Sequence, residues 1–365
     1  MRVVQLVSTL SFGDAVSNDA IALKKLLAQM GFTTGIYAEI IDRRLPRGIA
    51  QLLPEMPELS RGDVLIYHLS IGSELNYKMD QFHCRKMMIF HNVTPPAFLA
   101  PYSRISEELC LQGLAGVLNL NRTFDECLAV SEFNRQNLLT AGYTCPIEVR
   151  PILIPFEDYD REPDAATVEK YSDGWTNILF VGRVAPNKKH EDIIRAFACY
   201  KKTVNPKSRL ILAGSSGGME LYKKRLEDYI AALGVEDVVF PGHITFEQIL
   251  AFYRTAHVFL CMSEHEGFCV PLVEAMYFNV PIVAYASCAV PDTLGGSGIL
   301  LQDKDPVFTA AVIDRLVTDE ALRASVLEKQ RRRLADFSYE KVSSLFQKQF
   351  TAFLKKENKP AAPHQ

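Results

Sequence analysis

The sequence predicts an α/β protein built from two doubly wound, parallel-sheet domains. Three observations carry this. Short β-rich runs alternate with longer amphipathic helical patterns, and parallel strands need crossovers of that kind. The alternation comes in two series, the second starting near residue 176. The length, 365 residues, suits about two domains.

The first series opens with a strand at Val3–Leu6. A helix follows over Asn18–Met30, with Ile21, Leu23, Leu26, Leu27 and Met30 at helical spacing. Further strands are expected at Thr34–Tyr37, Val64–His68, Met87–Phe90, Gly116–Leu120 and Glu126–Val130. The stretch from Pro151 to Trp175 is rich in Pro and Asp and lacks sustained periodicity, so it reads as a connector between domains. The second series has strands in NILFVG, RLILAG, VVFPG, VFLCM and PIVAYA. Helices His190–Val204, Met219–Leu233, Phe246–Thr255 and Pro271–Phe278 separate them. The expected boundaries are 1–155 for the first domain, 156–175 for the connector and 176–337 for the second domain. A last helix takes 338–357, and a polar tail, 358–365, is expected to be disordered.

Composition excludes several classes of function. Hydrophobic residues at 48 % and charged residues at 23 % are an ordinary globular balance, not that of a disordered chain. A net charge of −3 offers no basic field for nucleic acid. The N-terminal apolar stretch, VVQLV, is too short for a secretion signal, and no run is long enough to span a membrane. The eight cysteines are scattered singly without a C-x-x-C pair. That pattern fits reduced thiols and a cytoplasmic location rather than a disulfide framework or a zinc site.

The segment SEHEGFCVPLVEAM carries the most chemical information. Glu266 and Glu274 lie eight positions apart, Gly267 frees the backbone after the first carboxylate, and Pro271 suits the first turn of a helix. Amides of Cys269, Val270 and Leu272 at that helix start are expected to favour an anion or sugar hydroxyls. Glu274, about one turn inside the helix, can accept two hydrogen bonds from a vicinal diol.

A second cluster is FVGRVAPNKKHEDII. Arg183 follows a strand ending at Gly182, and Lys188 precedes a helix, where a cation opposes the macrodipole. A guanidinium and an ammonium converging on one place are what a diphosphate needs. Gly13 sits in the first strand-to-helix turn, but no G-x-G-x-x-G fingerprint accompanies it, so a dinucleotide cofactor is not signalled. His91 follows a buried-looking strand at its carboxyl end. The two D-x-D triplets, Asp158–Asp160 and Asp303–Asp305, are no more than ordinary composition supplies.

Taken together, these segments resemble the retaining glycosyltransferases of GT-B architecture, glycosyltransferase family 4 (group 1). EHEGFCVPLVEAM matches the family's E-x7-E element and GRVAPNKK its G-R-x4-K element. LAGSSG, FPGHI and VPDTLGGSGILL follow in the expected order. In the N-terminal half, FGDAVSNDA and FHNVTPP resemble bacterial mannosyltransferases of polysaccharide synthesis. The resemblance implies two Rossmann-like domains facing a cleft, with the last helix crossing back to the N-terminal domain. It implies that Arg183 and Lys188 grip the diphosphate, that Glu266 binds a donor-sugar hydroxyl and that Glu274 binds the ribose. His91 would lie beside the reacting sugar. Gly13, Gly182, Ser215, His243, Ile244, Gly267, Phe268, Cys269, Val270 and Leu272 would line the donor nucleotide.

No metal and no cofactor are implied. The expected donor is a nucleotide sugar, with GDP-mannose favoured over a UDP-hexose. The expected acceptor is a glycan or lipid-linked glycan. Peripheral contact with the inner face of the membrane, through TPPAFLAPY or the basic runs Arg331–Arg333 and Lys355–Lys356, stays open. One departure stands out. Cys269 occupies a place where the family often has Gly, which a thiol tolerates only if the backbone is not left-handed.

Overall fold

A computed structural model of the chain describes residues 1–242 and 244–356. Its contacts divide it into two compact units. Unit 1 comprises Met1–Asn92, Gln112–Pro155 and the chain from Phe337 onward; unit 2 comprises Val93–Leu111 and Phe156–Asp336.

Unit 1 holds a seven-stranded parallel sheet. Its strands are β1 (Arg2–Leu10), β2 (Thr33–Ile41), β3 (Gln51–Leu52), β4 (Val64–Leu69), β5 (Arg85–Phe90), β6 (Glu126–Ala129) and β7 (Ile147–Val149). They are ordered β3-β2-β1-β4-β5-β6-β7, so the chain reverses direction across the sheet between β1 and β4. The run VLIYHL of β4 is buried throughout, as a strand covered on both faces must be. The helix Ala15–Gln29 starts where Asp14 accepts a bond from the Ser17 N–H. The last helix, Tyr339–Lys355, packs in unit 1 through the fully buried Phe346, Phe350 and Phe353.

Unit 2 holds a six-stranded parallel sheet ordered β10-β9-β8-β11-β12-β13. The strands are β8 (Thr176–Val181), β9 (Ser208–Ala213), β10 (Val238–Val239), β11 (Val258–Cys261), β12 (Ile282–Tyr285) and β13 (Ile299–Leu301). Here the reversal falls between β8 and β11. In open sheets of this kind ligands bind beyond the carboxyl ends of the strands flanking such a point. Gly214, just after β9, permits the close approach of the chain leaving β8, because a Cβ there would lie 1.9 Å from the Gly182 carbonyl oxygen.

Three expectations need correction. Gly116–Leu120 is no strand; it is the end of the helix Arg104–Asn119, against which Asn76 packs so close that a Cβ at Gly116 would meet its side chain at 2.5 Å. Residues 93–111, assigned from sequence to the first domain, cluster with unit 2. The connector is a built part of unit 2. It forms a short turn at Phe156–Asp160 and a helix at Ala165–Tyr171 capped by Asp164, and it buries Tyr159 and Tyr171. The expected tail, 358–365, lies outside the described residues.

Candidate donor site

The carboxyl ends of β8 and β11 bring the two sequence clusters of unit 2 together. After β8, Gly182 and Val184 donate backbone bonds to Ala213 and Ser215, each 2.9 Å, which extends the ladder past the strand. The guanidinium of Arg183 is exposed and makes no hydrogen bond or ion pair among the described residues. The turn 186–189 is then tied to the loop after β11. The Glu264 N–H donates to the Asn187 carbonyl at 2.8 Å, and Asn187 Nδ2 donates to the His265 carbonyl at 3.1 Å.

Lys188 and Glu266 meet across this seam. Lys188 Nζ donates to both carboxylate oxygens, each at 2.7 Å. Glu266 is buried at 7 % exposure, whereas the lysine side chain keeps a 21 % exposed path to solvent. Burial, the largest single effect, would lower the ammonium's pKa, but the Glu266 charge, its hydrogen bond and the nearby thiols together outweigh burial and the pKa is raised. Lys188 is therefore held charged, in the same segment after β8 that carries Arg183. Lys189 turns away to Glu264 at 3.2 Å.

Glu274 has a different environment. It sits on the helix Val270–Tyr277, between the hydroxyls of Tyr159 (2.9 Å) and Tyr253 (2.7 Å). Burial raises its pKa, and the two tyrosine bonds pull it back only in part. Tyr159 stacks against Phe246 and leans on Phe278, and Tyr253 stacks against Phe259 and Phe278, so both hydroxyls are rigidly aimed. Neither tyrosine was singled out by sequence: Tyr159 lies in the connector and Tyr253 in an ordinary helical pattern.

The glycine-rich features are mixed. Gly267 is half-buried beside Glu266, and the Phe268 carbonyl accepts a bond from Thr293 Oγ1. Cys269 does adopt a left-handed backbone, φ 69° and ψ 66°, contrary to the condition set by its side chain. That conformation costs a non-glycine residue on the order of 1–2 kcal/mol. Nor is every expected amide free: the Leu272 N–H is bonded to the Cys269 carbonyl at 3.0 Å. Val270 starts the helix and is half-buried. Ser215 is exposed and accepts from the Gly217 N–H at 3.1 Å. Ile244 is half-buried just before the capping Thr245, and His243 lies outside the described residues. The basic run is not a free charged strip. Arg333 bonds the Asp292 and Thr293 carbonyls and Asp336, while Arg331 and Arg332 pair with Glu328.

Gly13 and His91 belong to unit 1. Gly13 has φ 71°, a turn conformation that suits glycine, with open space where a Cβ would point. His91 is buried in a polar cluster under the ends of β1, β4 and β5. Arg150 holds Asp19 through two bonds, at 2.9 and 2.5 Å. His91 Nε2 lies 3.8 Å from Asp19 and 3.0 Å from His68 Nδ1. His68 Nε2 meets Gln5 Oε1 at 2.9 Å, and Gln5 Nε2 in turn donates to the Ala20 carbonyl.

This chain fixes the protons. Gln5 offers an oxygen, so His68 carries its proton on Nε2 and accepts at Nδ1, and His91 donates from Nε2. His91 Nδ1 is thereby left as a buried lone pair with no hydrogen-bond partner in the structure. Burial holds the His91 pKa down at about 4, so the ring is neutral at pH 7. Asp19, the group that anchors the cluster, was not anticipated; a lone Asp in an amphipathic helix gives no signal.

Among the described residues no helix is long and apolar enough to cross a membrane.

Residues 165–333 match the family described as "Glycosyl transferases group 1". D-inositol 3-phosphate glycosyltransferase of Salinispora arenicola is 32 % identical over 176 residues, 46 % of this chain and 39 % of that protein. O-antigen chain mannosyltransferase B of Escherichia coli is 25 % identical over 218 residues, 58 % of this chain and 57 % of that one. These alignments span less than two thirds of the curated relatives. Among solved structures, Anabaena HepE in complex with UDP-glucose superposes with a TM-score of 0.75 at 16 % identity, covering 96 % of this chain and 100 % of that one. Sucrose-phosphate synthase from Thermosynechococcus elongatus gives 0.74 at 18 % identity, with 96 % and 100 % coverage. The fold is thus GT-B: two parallel-sheet, Rossmann-like domains.

Proposed function

We propose that the chain, whose residues 165–333 match the family described as "Glycosyl transferases group 1", transfers a hexosyl group from a nucleotide sugar to a hydroxyl of a glycan or lipid-linked glycan. The observation that carries this is the division of charge beyond β8 and β11. Arg183, exposed and without a partner among the described residues, and Lys188, held charged by Glu266, are the two cations we assign to the diphosphate. Glu274, positioned by two tyrosines, keeps lone pairs for the two ribose hydroxyls.

In the proposed reaction the bond from the sugar's anomeric carbon to the diphosphate oxygen breaks as the acceptor oxygen bonds to that carbon on the same face. The acceptor proton passes to the departing phosphate. Arg183 and Lys188 stabilise the charge gathering there, the work a divalent ion does elsewhere, so the reading needs no metal. Glu266 binds a sugar hydroxyl while tethered to Lys188.

GDP-mannose is the favoured donor, from the FGDAVSNDA and FHNVTPP segments and from the mannosyltransferase among the relatives. A UDP-hexose is the second reading, prompted by the UDP-glucose bound in the Anabaena neighbour. Thermal stabilisation by GDP, UDP, ADP and NAD in EDTA, for wild type and Glu274→Ala, tests the whole. Binding to the folded state alone adds about 2.7 kcal/mol at a hundred times Kd. A GDP-only shift lost in the variant supports mannosyl transfer, and a UDP-only shift keeps the class but changes the donor. No shift with any nucleoside diphosphate overturns the reading.

A further inference from the structure

Two thiols flank Glu266. Cys261 ends β11 and Cys269 starts the next helix, so the loop between them delivers all three side chains from nine consecutive residues. The two Sγ atoms and a carboxylate oxygen of Glu266 all lie within 4.8 Å of one another. All three residues are buried, with Cys261 at 0 % and Cys269 and Glu266 each at 7 % exposure. Both cysteines are free thiols.

Cys269 occupies its place despite the left-handed backbone, where glycine would be unstrained. The side chain is thus kept at a conformational cost, and its sulfur is turned toward Cys261 and Glu266. The pattern is invisible to a search for C-x-x-C, because seven residues separate the thiols.

We propose that Cys261, Cys269 and Glu266 form a binding site for a thiophilic divalent cation of the zinc type. Two sulfurs and one carboxylate oxygen are a three-ligand set that leaves a fourth, open position for water. Ligand atoms around tetrahedral zinc stand about 3.3–3.8 Å apart, as bond lengths near 2.0–2.3 Å require, so side-chain rotations that draw this cluster together complete the shell. Loading releases two protons, one from each thiol. Two thiolates and the carboxylate carry three negative charges, and the cation with the Lys188 ammonium carries three positive ones. The buried site is therefore neutral when filled; Lys188, which bonds both carboxylate oxygens in this structure, keeps one of them and yields the other to the metal. The half-buried Lys188 side marks the entry path. One consequence rests on the functional reading above: a filled site occupies the carboxylate assigned to the donor sugar, so zinc opposes the metal-free transfer reaction.

The other polar cluster of similar compactness, Asp19, His68 and His91, is a poorer cation site. Arg150 already neutralises Asp19, and the two imidazoles are bonded to each other. The other thiol pair, Cys127 and Cys145 with sulfurs 3.4 Å apart, serves as the control.

Cobalt(II) titration of the full-length reduced protein, without any nucleotide sugar, tests the site independently of the enzyme's activity. One equivalent is expected to give intense sulfur-to-cobalt charge-transfer absorption, with tetrahedral ligand-field bands, both displaced by zinc. Cys261→Ala and Cys261→Ser, each checked for folding by melting in EDTA, should lose the charge-transfer band. Glu266→Gln should weaken binding about tenfold or more. Cys145→Ala should leave the band unchanged. Absence of the band, its survival in both Cys261 variants, or its loss in Cys145→Ala overturns the proposal. If the band behaves as expected but zinc leaves nucleotide-sugar binding untouched, the metal site stands and the donor role of Glu266 fails.

Discussion

Replacing Lys188 by Met isolates what the Lys188–Glu266 contact contributes. The change keeps an unbranched chain of similar length but removes the two bonds at 2.7 Å and leaves a carboxylate at 7 % exposure without its counter-charge. Breaking a buried pair from one side costs about 3–5 kcal/mol, and the partial exposure of Lys188 places this case near 3. For unit 2, about 200 residues, that is a fall in melting temperature of roughly 6–12 °C. Glu266→Gln should cost less, because the orphaned ammonium reaches solvent. The double variant should recover most of the loss, with a coupling energy of about 1–3 kcal/mol. The assay is melting of all four proteins at pH 7 and low salt. A Lys188→Met protein as stable as wild type, or a double variant equal to the sum of the singles, refutes the claim that this charge pair holds the two loops together.

Arg183→Ala touches no packed group, so its melting temperature should stay unchanged while kcat/KM falls about 10²–10³-fold, the loss of one charged transition-state donor; equal kcat/KM would remove Arg183 from the diphosphate site. Tyr159→Phe deletes one bond to Glu274. Nucleoside diphosphate affinity should fall about fivefold, equivalent to about 1 kcal/mol, and its pH dependence should move upward as Glu274 becomes harder to ionise, measured by calorimetry across pH. Acid should destabilise the fold below neutrality. Burial holds His91 and His265 at about 4 and His190 at about 3, and pushes His68 well below its usual value. The unfolded chain therefore takes up protons near pH 6.5 that the folded chain refuses. The stability present above that value is lost at about 1.4 kcal/mol per pH unit per histidine as pH falls toward 4. Glu274, raised by burial, works in the opposite direction over the lower part of this window. Melting curves that do not move between pH 7 and 5 would contradict the buried, neutral histidines.

The alternation of strands and helices made both sheets legible in the sequence, because buried parallel strands are continuous apolar runs and their helices are amphipathic. Gly116–Leu120 failed for the same reason that others succeeded. Its GVLNL is as apolar as a strand, but it is the last turn of a helix that begins at Arg104, twelve residues upstream. The motif residues of unit 2 were legible because carboxylates and cations stand at fixed offsets from strand ends. Their partners were not. Tyr159 reaches Glu274 across 115 residues of sequence and Lys188 reaches Glu266 across 78, and no local pattern encodes a contact of that range. Asp19, Gln5 and His68 were illegible in the same way, since a proton chain is a property of the folded cluster and not of any of its segments.

The two carboxylates of the E-x7-E element are chemically alike in sequence and unlike in the fold. Glu266 faces a cation and can anchor a lysine and a sugar hydroxyl together. Glu274 faces two neutral hydroxyls in a buried wall of aromatic rings, and its pKa rises. A carboxylate of that second kind gains most from further hydrogen-bond donors, and a vicinal diol supplies two of them without adding charge. Ribose binding and ionisation of Glu274 are therefore coupled: the diol should lower the pKa that burial raised. Nucleotide affinity should then weaken as pH falls through that pKa. The difference in environment, rather than the shared side-chain chemistry, is what assigns one glutamate to the sugar and the other to the nucleotide.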